Sequence, residues 1–155
     1  MTSEVESPLQ VRPATSRDIA QLMRIRADVT ENRLSDPASV GEDDYARFIA
    51  AECCWVWKED RVVFGFSAVD LEAGWLWALF VRPQAWGRGI GRALLEAAVR
   101  RARERDLRRL RLTTAKGTRA ERVYRRAGWR PAGEDLAGDL ILVRDLWPNR
   151  ASKPY

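Results

Sequence analysis

The sequence predicts a mixed sheet covered by helices, of the α/β (α+β) class, with about seven strands and about four helices, and three observations predict it. Short apolar or alternating runs bounded by turn residues recur along the chain, as in "WLWALFV" at residues 75–81, the pattern of buried strands. Longer stretches place apolar residues at helical spacing, with Ile90, Leu94, Leu95, Ala98 and Ala102 on one face. The chain has 155 residues, 46% of them hydrophobic, which is enough to bury a core and fits one domain. That domain is expected to span residues 1–155, with its core at about 8–147 and short flexible termini.

The elements follow in order. Residues 9–12 read as a short strand, and Thr15-Ser16-Arg17-Asp18 as a helix N-cap with an acid in the first turn. The helix continues through Ile19, Leu22, Met23, Ile25 and Arg26 towards Asn32. Residues 33–41, "RLSDPASVG", form a loop, and residues 43–52 a shorter helix. Strands at 53–58 and 62–70 flank Glu59-Asp60-Arg61, a hairpin signal. The turn "LEAG" at 71–74 leads into the strand at 75–81. A helix at 90–105, a strand at 107–114 and a helix at 118–127 come next. Gly128 ends that helix as a left-handed cap, and strands at 129–134 and 140–146 close the chain.

Composition narrows the chemistry. Cys53 and Cys54 are adjacent and would point to opposite faces of a strand, which speaks against a disulfide framework. Two adjacent cysteines and no histidine speak against a metal site and remove every Ser-His or Cys-His nucleophile pair. The N-terminus is polar and acidic, unlike a signal peptide, and no apolar run spans a bilayer, so a cytoplasmic location without membrane partners is expected. Charge is unevenly placed. Residues 1–81 carry 8 Lys/Arg against 14 Asp/Glu, net −6, and residues 82–130 carry 16 against 4, net +12. The basic block implies a strongly anionic partner.

That block opens with "QAWGRGIGRALL", residues 84–95, in which Gly87, Gly89 and Gly91 stand between a strand and a helix. Such turns hold phosphates on backbone N–H groups at a helix start. No G-x-x-x-x-G-K-[ST] string exists, which removes the P-loop. A dinucleotide turn needs G-x-G-x-x-G and an acid about 20 residues later. Here the third glycine comes one residue early and the following strand ends in Thr113-Thr114. A helix start with glycines for tight packing alone is the structural alternative.

Gln84-x-x-Gly87-x-Gly89 followed by Ile90-Gly91 resembles the acetyl-CoA signature R/Q-x-x-G-x-G/A of the GCN5-related N-acetyltransferases (GNAT). "AERVYRRAGW", residues 120–129, resembles the family's later segment, a helix carrying A-x-x-x-Y that ends at a G-F/W pair. The likeness is strong over residues 75–129, and "ENRLSDP" (31–37) with "WALFV" looks like a bacterial subgroup without a settled substrate. The resemblance implies a GNAT fold, acetyl-CoA as cosubstrate, an amine acceptor and, for some members, a homodimer. It assigns Gly87, Arg88, Gly89, Ile90, Gly91 and Arg92 to the pyrophosphate, counts Gln84 with them as cofactor-binding, and gives the backbone of Leu79, Phe80 and Val81 to the pantetheine arm, paired like an added strand. It assigns Tyr124 the general-acid role, giving a proton to the departing thiolate. Other arginines at residues 100–111 are candidates for the ribose phosphate or a solvated basic face.

The general base stays open. Trp75, Leu112 and the Thr113-Thr114 pair stand where relatives carry glutamates, and Gly117 stands where many carry an asparagine. Glu31, Asp36, Asp70 and Glu72 are the remaining candidates. Glu31, Asn32 and Arg33, with Trp77, are the candidate acceptor-binding residues. The implied acceptor is a small primary amine. The rivals are a protein or peptide acceptor, a CoA-binding sensor without turnover, and a nucleic-acid-binding module using residues 100–111, a region lacking the aromatics expected for strand stacking.

Overall fold

The computed structural model describes residues 10–29 and 40–146; the termini and the candidate residues Glu31, Asn32, Arg33 and Asp36 lie outside the described residues. The described elements are β1 (Val11–Pro13), α1 (Ile19–Asp28), α2 (Glu42–Ala50), β2 (Cys54–Glu59), β3 (Val62–Asp70), β4 (Trp75–Val81), α3 (Ile90–Glu104), β5 (Arg109–Thr114), α4 (Arg119–Arg126), β6 (Arg130–Glu134) and β7 (Leu140–Asp145). The strands form one seven-stranded sheet in the order β1-β2-β3-β4-β5-β7-β6. Every pair is antiparallel except β4 and β5. The mixed α/β sheet with four flanking helices is therefore the expected architecture. A parallel pair cannot be joined by a hairpin, and α3 supplies the crossover.

Local chemistry explains the ends of the elements. Thr15 N–H donates to Asp18 Oδ2 at 2.8 Å, and the buried Asp18 also accepts from Lys58 Nζ at 2.7 Å, which ties the start of α1 to β2. α1 stops at Asp28 because Val29 is extended, at φ −91 and ψ 106, rather than running on towards Asn32. The β2–β3 hairpin pairs Glu59 with Val62, so its loop is two residues, Asp60 and Arg61, and not the three read from sequence. Both sit at positive φ, +51 and +73, the primed turn whose twist matches the strands it joins. Trp129 lies outside β6; it is buried, and its N–H donates to the carbonyl of Tyr124 at 3.1 Å, closing α4.

The sheet buries side chains on both faces. On one face Leu79, Val81, Trp55 and Trp57 pack against Ala85, Ile90 and Leu94. On the other, Phe80 meets Phe66 at 5.6 Å between ring centres, and Phe66 meets Tyr45 of α2 at 5.9 Å. Gly65 brings β3 close to β4, since a Cβ there would stand 2.9 Å from the carbonyl oxygen of Phe80. Cys53 and Cys54 are both buried and free. No helix among the described residues is long and apolar enough to cross a membrane.

Candidate active site at the gap between β4 and β5

The register of β4 on β3 shifts once. Ala68 faces Ala78, but Val69 faces Leu76, so Trp77 is an extra residue in β4. Such a bulge bends the strand and raises its twist. Pairing between β4 and β5 is confined to Trp75 opposite Arg111, where Arg111 N–H donates to the carbonyl of Gly74 at 3.0 Å. Beyond the bulge the two strands part. Arg82 N–H donates to the carbonyl of Phe64, which sets the alternation on the β3 side. By that alternation, Phe80 bonds to β3, whereas Leu79 and Val81 turn their N–H and C=O groups towards the gap.

A cavity of about 270 Å³ opens beside the free edge of β4, bordered further by α3 and α4 and by no residue of β5. Leu79, Phe80 and Val81 line one wall. Gly87, Gly89, Ile90, Gly91 and Arg92 line the end formed by the glycine turn. Gly87 and Gly89 hold φ of +87 and +85, and a Cβ at either would meet no neighbour, so the glycines serve the backbone path and leave the space above it open. The first helical bond of α3 runs from Ala93 N–H to Gly89 C=O at 3.1 Å. The N–H groups of Ile90, Gly91 and Arg92 therefore have no helical acceptor, and all three residues border the cavity. This end of α3 favours negative charge.

α4 forms the facing wall. Thr118 caps it, its hydroxyl accepting from Glu121 N–H at 3.2 Å, while Glu121 Oε1 accepts from Gly117 N–H at 2.8 Å. Helical spacing then puts Arg119, Ala120, Val123, Tyr124 and Ala127 on the cavity side. Tyr124 is 5% exposed, and its ring meets Trp129 edge-on at 5.8 Å. Among the described residues its hydroxyl has no hydrogen-bond partner. Burial pushes the phenol well above its ordinary value, so it is protonated at neutral pH.

The other candidates fall elsewhere. Gln84 is exposed in the short 3-10 turn Pro83–Ala85 and does not border the cavity. Arg88 does not border it either; its guanidinium pairs with Glu59 at 2.6 Å and lies over the Phe64 ring. Trp77 packs against Tyr45 and Phe48 of α2, outside the cavity lining. Asp70 accepts from Ala73 N–H in the β3–β4 turn, and Glu72 is exposed in the same turn. Among the described residues no carboxylate borders the cavity. The arginines of residues 100–111 are also absent from it; Arg103, for instance, donates to the carbonyl of Leu146. Among the described residues the cations that do border it besides Arg92 are Arg119 and Arg126 of α4, which sequence reasoning passed over. Seven residues apart, the two share one face of α4, but no local pattern aims that face at the gap.

The profile of the acetyltransferase (GNAT) family matches residues 19–129. This chain belongs to that family. The peptidyl-lysine N-acetyltransferase YiaC of Escherichia coli is 48% identical over 42 residues, 27% of this chain and 28% of the relative's own length. The fold is that of PaiA N-acetyltransferase from Thermoplasma acidophilum, solved with coenzyme A, at TM-score 0.72 and 15% identity over 88% of this chain and 98% of that one. It is likewise that of yncA from Salmonella typhimurium, a putative acetyltransferase solved with acetyl-CoA, at TM-score 0.72 and 19% identity over 88% of this chain and 92% of that one.

Proposed function

We propose that this GNAT protein transfers the acetyl group of acetyl-CoA to the primary amine of a small molecule by direct attack, with Tyr124 as general acid. One observation carries the reading: the free N–H groups of the α3 start, the outward backbone of Leu79 and the unpartnered Tyr124 hydroxyl all meet at one cavity. The residues fit the donor's chemistry. Among the described residues three cations and no carboxylate border the cavity, which suits a polyanionic nucleotide.

When bound, acetyl-CoA supplies an activated acetyl carbon whose C–S bond breaks as the amine's C–N bond forms. Arg92, Arg119, Arg126 and the N–H groups of residues 90–92 hold the phosphates. The Leu79 backbone offers a strand edge to an extended arm, and its N–H suits charge developing on a carbonyl oxygen. Tyr124 holds a proton at Oη for the departing sulfur. Burial makes the phenol a weaker acid, and the same loss of hydration makes a thiolate a stronger base. Burial therefore moves the donor and the acceptor of the proton in the same direction. The amine's proton passes to water, no carboxylate among the described residues bordering the cavity; the base candidates Glu31 and Asp36 lie outside those residues.

The 42-residue match to a peptidyl-lysine acetyltransferase favours a second reading, in which the amine is a lysine side chain of a peptide. An amine panel containing small amines and lysine peptides, read by free thiol released from acetyl-CoA, separates the two. Release with small amines supports the first reading. Release with peptides alone supports the second, and binding of acetyl-CoA without release under any amine marks a sensor.

A further inference from the structure

Arg26 stands on α1 one turn before Val29, which borders the cavity. Its guanidinium carbon lies 4.7 Å from the centre of the Trp77 ring and 4.8 Å from that of Phe80. Nη1 donates to the Tyr45 hydroxyl at 3.4 Å, a long bond, and Nε is buried without a partner. Among the described residues no carboxylate pairs with this guanidinium, whereas Arg88, Arg101, Arg125 and Arg144 each have one. Taking a cation partly out of water onto aromatic faces costs free energy that the rings return only in part. An apolar residue of similar length would fill the place without that cost. The arrangement has the form of a binding group awaiting its anion.

Its position says which molecule brings the anion. Phe80, whose ring the guanidinium covers, is one of the residues bordering the cavity, and its ring lies on the α1 face of the sheet; Arg26 itself stands behind that ring, outside the lining. Arg92, Arg119 and Arg126 border the cavity from α3 and α4, where the donor's phosphates are read. Arg26 is thus a cation on the α1 side, away from the glycine turn. The bulge at Trp77 is what sets the Trp77 ring beside that of Phe80, and the pair fixes the plane of the guanidinium. A fixed planar fork suits a carboxylate held by two parallel hydrogen bonds.

Resting on the acetyltransferase reading, we infer that Arg26 recognises the acceptor, and that the acceptor is a small primary amine that also carries a carboxylate. The amine reaches the gap beside Leu79 while its carboxylate meets the guanidinium over Phe80. A lysine within a peptide has its own α-carboxyl tied up in an amide bond.

The test uses free amino acids, their carboxamides and a neutral lysine peptide as acceptors, read by thiol release from acetyl-CoA, with acetyl-CoA binding followed by calorimetry. Wild type is expected to favour the acids over the carboxamides by about 10- to 100-fold in kcat/KM. Arg26→Met erases that preference and leaves acetyl-CoA binding intact; Arg26→Lys keeps the charge without the fork and retains a smaller preference. Thermal unfolding reports whether each variant folds, and the lysine variant with the wild-type preference carries the test if the methionine variant does not. Carboxamides or the peptide accepted as well as the acids, no transfer to any acid, or a folded Arg26 variant with the full preference would each overturn the proposal. Failure of wild type to bind acetyl-CoA overturns the acetyltransferase reading instead.

Discussion

The indole Nε1–H of Trp86 donates to the carbonyl oxygen of Val81 at 2.9 Å. The bond joins the glycine turn to the end of β4 and satisfies one of the two carbonyls that face the gap, leaving that of Leu79 to the cavity. Trp86→Phe keeps an aromatic ring and loses the N–H. The turn should then sit less firmly on β4, and acetyl-CoA affinity should fall by up to about tenfold, the worth of one hydrogen bond. Calorimetric titration checks this, with an unchanged unfolding midpoint showing that the fold is intact.

Arg119 lies over the same indole, its guanidinium carbon 4.7 Å from the ring centre, so α4 and the glycine turn touch across the cavity. Among the described residues Arg119 has no carboxylate partner, so Arg119→Ala removes a cation that borders the cavity without unpairing an acid. Acetyl-CoA should bind about tenfold more weakly, and its affinity should depend less steeply on ionic strength. Titrations at low and high salt measure both effects.

Gly65→Ala should destabilise the protein by about 1–3 kcal/mol through overpacking. The new Cβ would stand 2.9 Å from the backbone oxygen of Phe80 and 3.1 Å from Leu94 Cδ1. Backbone cannot yield as a side chain end can, so β3 and β4 must separate where Leu79 and Phe80 form the cavity wall. A lower urea midpoint together with weaker acetyl-CoA binding is the expected pair of results.

How much of this was legible in the sequence depended on range. The glycine turn and the face of α4 bearing Tyr124 follow local periodicity, and both stand where the spacing put them. Arg88 shows the limit of adjacency: it sits inside the turn, yet its side chain leaves for Glu59 on the hairpin. Arg119 and Arg126 were missed because their place depends on how α4 docks beside the gap. The bulge at Trp77 was invisible, since one extra residue in a run of apolar side chains changes no local pattern. The primed turn at Asp60 and Arg61 carries neither Gly nor Asn and gave no sign of its type.

Stability should fall at high pH. Burial above all, then the charges of Asp18 and Cys53, raises the Cys54 thiol to about 12 in the folded state. An unfolded thiol titrates near about 8.5. Below that pH both states are protonated and the stability is whole; from about 8.5 to about 12 the unfolded chain sheds a proton that the folded protein keeps, and stability declines. Tyr124, raised by burial, adds the same sign of slope at higher pH. Urea midpoints measured across the alkaline range should drop for wild type and drop less for Cys54→Ala.

The central claim is that Tyr124 gives its proton to the leaving sulfur. Tyr124→Phe removes one oxygen from a hydroxyl that has no hydrogen-bond partner among the described residues, so the fold and the donor site should be undisturbed. Pre-steady-state transfer from bound acetyl-CoA to a saturating amine, measured beside acetyl-CoA affinity, isolates that step. The account predicts an acetyl-CoA affinity equal to wild type and a transfer rate lower by about 10²- to 10⁴-fold. A Tyr124→Phe protein that transfers acetyl as fast as wild type contradicts it.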